Sequence, residues 1–225
     1  MPRPTLLAVS HGTSDADGAR AIAELVHAVA ERLSDVDVRA AFVDVQEPDA
    51  VDALAAVVGP VVIVPLLLSS GFHVHHDLHG MADPRADAVV AAPLGPDRRL
   101  AAVLAERLPP ASDQPVILAV AGSRDPRSLT DAEAMATVLR EHLGRRIELA
   151  YLAARQPDLP TALAEHPDAV VSTYLLARGY FFDLAERVSA DRPLALPLLD
   201  GGPVPGALVD LVVARYEEAV DRLSD

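Results

Sequence analysis

The sequence contains no cysteine. Disulfide bonds, iron–sulfur clusters and thiolate zinc sites are therefore excluded, so any metal ion must be held by histidine, aspartate or glutamate. Long apolar runs are absent as well. The apolar stretch before His11 is too short for a signal peptide, and no segment approaches the roughly 18 apolar residues of a membrane helix. We therefore expect a cytoplasmic protein that does not enter a membrane.

Basic residues are scarce relative to acidic ones. The chain has 19 basic and 33 acidic residues and a formal net charge of −14, whereas nucleic-acid binding depends on clustered lysine and arginine. The phosphate-binding motifs G-x-x-x-x-G-K-[ST] and G-x-G-x-x-G do not occur, nor does the G-x-S-x-G motif of serine hydrolases. These absences argue against a nucleic-acid partner, a nucleotide-dependent enzyme and a serine hydrolase.

The most informative stretch that is present covers residues 61–80. Residues 61–68 are almost all branched and apolar without alternation, which is typical of a parallel strand buried on both faces. Ligands of α/β sheets bind beyond the carboxyl ends of such strands, and imidazole is both a common metal ligand and a proton carrier near neutral pH. This stretch therefore predicts a metal-binding or proton-transfer site, because four of the eight histidines follow the apolar run: His73, His75, His76 and His79.

Hydrophobic patterning predicts alternating strands and helices along the chain. With 225 residues, 51% of them hydrophobic, the chain can bury a large core. We expect an α/β fold in which parallel sheets are flanked by helices, and a linker at the proline-rich residues 109–115. The predicted strands are 5–9, 36–45, 61–68, 88–93, 116–120 and 147–152. The predicted helices are 21–33, 49–58, 98–108 and 130–143, the last opened by a capping box of Thr130 and Glu133.

An internal repeat divides the chain. A repeat of this length indicates a duplicated domain rather than a solenoid. We therefore predict two Rossmann-like lobes, residues 1–112 and 113–225, with a cleft between them. Strand 61–68 of the first lobe should correspond to strand 169–176 of the second. The aligned segments are 41–54 with 150–163, 7–12 with 118–122, and 67–73 with 175–181.

The duplication provides an internal control for function. Glycines and prolines persist in both halves, so we infer that Gly12, Gly71 and Pro48 serve the backbone. Ionisable residues of the first half do not persist, and we infer that they form a site carried by the N-terminal half. The replaced pairs are His73 with Phe181, Glu47 with Gln156, and His11 with Ala121.

With these features the chain resembles the class II tetrapyrrole chelatases, the family of sirohydrochlorin ferrochelatases and cobaltochelatases, over its whole length. The matching segments are the Ser-His-Gly turn at His11, the Glu47-Pro48 pair, and P-L-L-L-S-S-G-F-H ending at His73. The resemblance implies insertion of Fe²⁺ or Co²⁺, with Ni²⁺ as a further candidate, into a metal-free tetrapyrrole such as sirohydrochlorin. It also implies that His11 and His73 contact the metal, that Glu47 is a nearby acid, and that the macrocycle lies between two chelatase-like lobes.

Further expectations follow from the resemblance. The metal ion would be a substrate, no cofactor would be permanently bound, and the protein would be a monomer or homodimer. Sirohydrochlorin carries many carboxylates, which require cationic contacts. The candidates for these contacts are Arg85, Arg124, Arg127 and Arg178. The expected substrate-binding residues around the strand-end turns are Ser10, Gly12, Ser70, Gly71, Phe72 and His75.

The chemistry of metal insertion fits these residue types independently. Two pyrrole N–H protons must leave as the metal enters, so the site needs weak bases with a pKa near neutrality. It also needs ligands that hold a divalent ion without trapping it. Two imidazoles and a carboxylate meet both requirements.

Two other functions remain compatible with the histidine run. One is a metal-dependent hydrolase, because the run approximates the H-x-H-x-D-H motif of metallo-β-lactamases. Leu78 occupies the position of the last histidine in that motif, and the only later histidines, His142 and His166, are predicted on a surface helix and a turn. The other function is non-catalytic metal binding, which predicts tight metal binding without a tetrapyrrole.

Overall fold

Two parallel sheets flanked by helices form the fold in a computed structural model that describes residues 3–71, 73–109, 113–190 and 192–224, without the side chains of residues 73–75 and 224. Separate sheets with the same strand order confirm the predicted α/β fold with two lobes. The first sheet, in the order β2-β1-β3-β4, contains β1 (Thr5–Ser10), β2 (Val38–Phe42), β3 (Val61–Pro65) and β4 (Ala88–Val90). The second, in the order β6-β5-β7-β8, contains β5 (Val116–Val120), β6 (Ile147–Tyr151), β7 (Val170–Tyr174) and β8 (Leu194–Ala195).

Helices connect the strands, and several begin at an aspartate whose side chain accepts a hydrogen bond from the first turn, as a good N-cap does. None of the helices in the described ranges is long and apolar enough to cross a membrane. The helices are α1 (Ala16–Arg32), α2 (Ala50–Ala55), α3 (His79–Ala82), α4 (Arg98–Arg107), α5 (Pro126–Leu143), α6 (Leu159–Glu165), α7 (Tyr180–Ser189) and α8 (Gly206–Ser224), with a π-helix (His73–Leu78) directly before α3.

The central strands are buried on both faces, as their unbroken apolar runs predict. In β1, Leu6 belongs to one hydrophobic core and Leu7 to another. In β3, Val62 and Ile63 divide in the same way. Because the strands of each sheet are all parallel, every loop that leaves the carboxyl end of a strand lies at one edge of its sheet.

Two helices are exchanged between the halves of the sequence. The C-terminal helix α8 packs against α1, α4, β3 and β4 of the first lobe, and its Tyr216 hydroxyl donates a 2.7 Å hydrogen bond to the Pro4 carbonyl. Helix α4 reaches the other way, against α5 and β7, and its Arg107 lies 2.9 Å from the Asp200 carboxylate. The boundary between residues 112 and 113 stays a prediction, and the two helices pack across it.

Several predicted element boundaries were wrong, for local reasons. Helix α1 begins five residues earlier than expected because Asp15 accepts a 2.7 Å hydrogen bond from the Gly18 N–H. Helix α5 begins at Pro126 rather than at the proposed capping box, and Thr130 lies inside it. Strand β3 ends at Pro65, which has no N–H for the ladder, although apolar residues continue to Leu68. The following histidine-rich segment is helical, which the sequence did not indicate.

Candidate active site

His11 directly follows β1, the strand that lies between β2 and β3, and its side chain is exposed. Its main-chain carbonyl accepts a 3.0 Å hydrogen bond from the Asp44 N–H in the loop after β2. On the other side, the Leu66 N–H after β3 donates a 2.7 Å hydrogen bond to the Val9 carbonyl. The backbone before His11 is thus held by both neighbouring strand ends, and the histidine is presented at the carboxyl edge of the sheet.

Gly12 makes this arrangement possible. Its φ of 91° lies in the left-handed region, and a Cβ atom at this position would overlap the Asp44 carbonyl oxygen. The next residue, Thr13, donates its N–H to the Gln46 side-chain oxygen at 2.9 Å. Gly12 therefore serves the backbone, as inferred, and lets the loop after β1 lie against the loop after β2.

Glu47 lies in that second loop, at the start of the turn into α2. Its side chain is exposed, and its Oε2 atom accepts a 2.9 Å hydrogen bond from the Asp49 N–H. The Pro48 carbonyl accepts a 3.0 Å hydrogen bond from the Phe42 N–H at the end of β2. These bonds fix the direction of the carboxylate at the same sheet edge as His11.

The second lobe repeats this loop geometry without its ionisable groups. Gly122 has a φ of 88°, and a Cβ atom there would overlap the Ala153 carbonyl oxygen. The Ala153 N–H donates to the Ala121 carbonyl at 3.0 Å, as Asp44 does to His11. Gln156 accepts a 3.0 Å hydrogen bond from the Asp158 N–H, the bond that Glu47 makes in the first lobe. The backbone is duplicated, whereas the imidazole and the carboxylate are not.

The strand-end loops of the two lobes face each other in a reciprocal arrangement. A Cβ atom on Gly71 in the first lobe would lie 3.9 Å from the Ser123 hydroxyl oxygen in the second. A Cβ atom on Gly179, which aligns with Gly71, would lie 2.8 Å from the Thr13 hydroxyl oxygen. The equivalent edges of the sheets therefore meet across a single cleft.

Two further hydrogen bonds tie the loop after β3 to the second lobe. The Ser70 N–H donates to the Asp131 carboxylate at 2.6 Å, and the Tyr174 hydroxyl donates to the Leu68 carbonyl at 3.0 Å. Burial raises the pKa of the Tyr174 phenol above its ordinary value, so this group remains a protonated donor. The segment that leads to His73 is thus held from the opposite lobe.

The sequence placed further site residues at this edge. Ser10 is buried, with only 2% of its surface exposed, which argues against the expected contact of its side chain with a macrocycle. Gly71 has room for a Cβ atom and no left-handed φ, so the inference that it serves the backbone was wrong. Phe72 and the side chains of His73 and His75 lie outside the described part of the chain. The pairing of His11 with His73 at one metal ion therefore stays a prediction.

Three histidines lie away from this edge of the sheet. His27 is exposed on α1, 3.5 Å from the Glu31 carboxylate. His142 and His166 lie at the carboxyl ends of α5 and α6, away from the edge of the second sheet that faces the cleft. A hydrolase that used them as downstream ligands would have to bind metal elsewhere. Among the side chains that the structure describes, no three His, Asp or Glu groups are close enough to hold a metal ion.

Two of the four candidate arginines, Arg85 and Arg127, are bound to other groups of the protein. Arg85 was a wrong candidate, because its guanidinium group bonds the Leu54 carbonyl at 2.7 Å and the Gly59 carbonyl at 2.6 Å, at the opposite edge of the sheet. Arg127 forms a two-pronged pair with Asp125. The other two arginines, Arg124 and Arg178, remain candidates.

Sequence reasoning missed Asp44, Arg155, Asp131 and Tyr174 at the cleft. The repeat alignment itself contained a signal for the first two, because Asp44 aligns with Ala153, and Arg155 aligns with a neutral glutamine. The roles of Asp131 and Tyr174 depend on contacts between the lobes. Residues separated by 61 and 106 positions make those contacts, and no local pattern marks them.

Comparison with known proteins shows that this chain is similar to a family of chelatase-related proteins. The sequence profile of the CbiX family matches residues 5–111 and 115–192. Sirohydrochlorin ferrochelatase from Priestia megaterium is 25% identical over 195 residues, which cover 77% of this chain and 73% of that protein. Sirohydrochlorin cobaltochelatase from Methanosarcina acetivorans is 28% identical over 120 residues, which cover 46% of this chain and 92% of that protein.

A solved structure shares the fold. The sirohydrochlorin chelatase SirB from Bacillus subtilis subspecies spizizenii, crystallised in complex with cobalt, superposes with a TM-score of 0.79 at 19% sequence identity. The superposition covers 98% of this chain and 96% of that one. Both lobes therefore belong to the shared fold.

Proposed function

Because the chain belongs to the CbiX family, we propose that it is a metal chelatase that inserts Fe²⁺ or Co²⁺ into sirohydrochlorin. One observation carries the proposal: the carboxyl edge of the first sheet presents an imidazole and a carboxylate in two adjacent loops whose backbone recurs in the second lobe without them. A fold requirement would apply to both lobes alike. A chemical requirement explains why only one lobe has His11 and Glu47.

In the proposed reaction, the divalent ion replaces two pyrrole N–H protons of the macrocycle, and both protons pass to bases in the cleft. His11 accepts one proton through its imidazole nitrogen, and His73 accepts the other. The same two imidazoles guide the metal ion to the ring, because neutral imidazole binds iron and cobalt without the tight retention of thiolates. General bases of this kind contribute roughly 10²–10⁴-fold to a rate.

Glu47 attracts the cation in this proposal. The Asp49 N–H holds one carboxylate oxygen at 2.9 Å, so the negative charge is fixed at the strand edge rather than free to rotate away. A fixed carboxylate increases the local concentration of M²⁺ at the strand edge, which favours delivery of the metal to the ring.

The choice of metal determines the pathway. Imidazole and carboxylate ligands follow one affinity order for Fe²⁺, Co²⁺ and Ni²⁺, so supply and fine geometry select among them. Insertion of Fe²⁺ would place the protein in siroheme biosynthesis, and insertion of Co²⁺ in cobalamin biosynthesis. In either case the metal is a substrate, and we propose no permanently bound cofactor.

The test follows the absorption spectrum of sirohydrochlorin with Fe²⁺, Co²⁺ or Ni²⁺, with and without the protein. We expect at least one metal to be inserted faster with the protein present. A rate equal to the uncatalysed one for every metal would contradict the proposal. Tight metal binding in that same sample would then identify a non-catalytic metal-binding protein.

A further inference from the structure

The duplicated loops differ in charge as well as in chemistry. Their backbones correspond, because Gly12 lies against the Asp44 carbonyl of the neighbouring loop and Gly122 lies against the aligned Ala153 carbonyl. At five aligned positions the first lobe has two acids and no base, whereas the second has three arginines and no acid. The aligned pairs are Ser14 with Arg124, Asp44 with Ala153, Gln46 with Arg155, Glu47 with Gln156, and Ser70 with Arg178.

The three arginines are not neutralised by carboxylates in the described part of the chain. Arg124 is exposed and makes no hydrogen bond or ion pair there. Arg178 lies with its guanidinium carbon 4.6 Å from the centre of the Phe182 ring. Arg155 donates its Nε–H to the Ser123 carbonyl at 2.5 Å and an Nη2–H to the Asp125 carbonyl at 2.9 Å. These carbonyls orient the Arg155 guanidinium without cancelling its charge.

Two of these arginines line open cavities. Arg124 lines an open cavity of about 650 Å³, and Arg155 lines a second of about 330 Å³. Sites for small molecules commonly have volumes in this range. The wall of the larger cavity includes Ser123, whose hydroxyl oxygen lies beside Gly71 of the first lobe. The cavity therefore opens beside the loop that leads to His73.

Arg178 lies beside a different loop of the first lobe. Its neighbour Gly179 lies against Thr13, and a Cβ atom on Gly18 of α1 would overlap the Arg178 carbonyl oxygen. The loop with Arg178 therefore packs against the loop that carries His11. The arginines of the second lobe thus border both the loop that leads to His73 and the loop that carries His11.

We propose that Arg124, Arg155 and Arg178 form a subsite in the second lobe that binds the peripheral carboxylates of the tetrapyrrole. The inference rests on the proposed function and assigns a role to the lobe that lacks counterparts of His11 and Glu47. Guanidinium groups bind carboxylates in two-pronged geometry. A protein with a net charge of −14 repels a polycarboxylate, so it needs a local positive surface to bind one. All 19 basic residues are arginine, and these three have no carboxylate partner of their own.

The subsite gives the cleft two chemically distinct walls. The acidic wall of the first lobe receives the metal cation, and the basic wall of the second lobe holds the anionic rim of the macrocycle. The charge pattern therefore brings two reactants of opposite sign to opposite sides of one cleft.

The decisive variant is the Arg124→Gln/Arg178→Gln double variant, because it leaves the Arg155 hydrogen bonds intact. Binding is measured by fluorescence titration without metal, using sirohydrochlorin and the octacarboxylate porphyrin uroporphyrin I. We expect the Kd for both to rise roughly tenfold for each arginine removed. We also expect the parent affinity to fall with added salt more steeply than that of the variant. In metal insertion, KM should rise while kcat is retained, since the carboxylates are bound equally before and during reaction.

Arg140→Gln is the matched control. It removes one positive charge, as each substitution of the double variant does, from an exposed position on α5, about 21 Å along the helix from Pro126. The control should bind like the parent. Parental affinity in the double variant, or an equal loss in the control, would overturn the subsite. If the parent inserts no metal but the double variant still loses uroporphyrin binding, the proposed function fails and the subsite stands.

Discussion

The hydroxyl of Tyr174 in the second sheet donates a 3.0 Å hydrogen bond to the carbonyl of Leu68, just beyond the end of β3 in the first. The tyrosine side chain is enclosed in the shared core, and burial holds the pKa of its phenol above the usual range. The second lobe therefore helps to position the end of β3, the strand of the first lobe that the histidine run follows.

Tyr174→Phe removes this bond and leaves the Leu68 carbonyl without its cross-lobe donor. We expect a loss of about 1–3 kcal/mol in the free energy of unfolding, the usual cost of an unpaired buried polar group. Chemical denaturation measures it. Tyr180→Phe, at a side chain that is 71% exposed, should change stability by less than about 0.5 kcal/mol. Equal stability of both variants would show that the bond does not hold the lobes together.

His11→Ala removes the proposed general base at the end of β1. We expect metal insertion to slow by roughly 10²–10⁴-fold, and His73→Ala should behave in the same way. Stability should be nearly unchanged, because an exposed imidazole contributes little packing. Stopped-flow absorption of sirohydrochlorin measures the rate, and His27→Ala on the outer face of α1 is the control. Parental rates in both site variants would mean that the site lies elsewhere.

Glu47→Gln separates charge from shape. Glutamine should keep the hydrogen bond to the Asp49 N–H, because Gln156 makes the corresponding bond to Asp158 at 3.0 Å in the second lobe. We therefore expect an intact fold and unchanged sirohydrochlorin binding, with a clear loss of turnover. The comparison is made at saturating tetrapyrrole over a range of metal concentrations. Unchanged turnover would remove the carboxylate from the mechanism.

Gly12→Ala and Gly122→Ala introduce the same steric conflict with the backbone, one in each lobe. Each forces a Cβ atom into a carbonyl oxygen at a positive φ, so each should cost about 2–4 kcal/mol of stability. Gly59→Ala, where φ is 85° and no atom lies within 4 Å, should cost only about 1 kcal/mol.

Activity should distinguish the pair, because only Gly12 positions the loop with His11. The folded fraction of Gly122→Ala should keep most of its kcat, and that of Gly12→Ala should not. Thermal unfolding followed by activity per folded molecule tests both statements. Equal losses of kcat in the two variants would contradict the assignment of the chemistry to the first lobe.

Asp97 links α4 to α8 through a carboxylate with a shifted pKa. Burial, the largest single influence, raises the pKa, but hydrogen bonds from Arg99 and the charge of Arg215 outweigh it and hold the pKa below 3.8. The ionised form is therefore favoured in the folded state. Its stabilisation is fully present above pH 3.8 and is lost as the pH falls through the lower folded value.

Asp97→Asn should consequently lower stability at neutral pH, by roughly 1–2 kcal/mol, and the difference from the parent should disappear in acid. Urea unfolding at a series of pH values between neutral and acid measures the effect. Asp168→Asn, at an exposed turn position, should show no such pH dependence. A constant difference at every pH would assign the effect to the shape of the side chain and not to its charge.

The sequence predicted the layered fold because its strands are buried on both faces, and residues such as Leu6 and Leu7 must then both be apolar. It predicted the duplication because the turn after β1 and the turn after β5 both require a residue without a Cβ atom, at Gly12 and at Gly122. It did not predict where Asp131 and Tyr174 act, since their partners lie 61 and 106 residues away. Arg85 was misassigned for a related reason: two of its partners are backbone carbonyls, which leave no trace in residue type.

The exchanged helices have a consequence for how this chain is made. Helix α8, which is synthesised after the strands of both sheets, covers a face of the first sheet and binds Pro4 through Tyr216. Strand β4 ends at Val90, whereas α8 begins at Gly206. At ordinary rates of synthesis that gap represents a delay on the order of ten seconds. During that time the face of the first sheet that α8 will cover remains exposed, so the lobe that carries the proposed chemistry is completed only after the strands of the second lobe have been made.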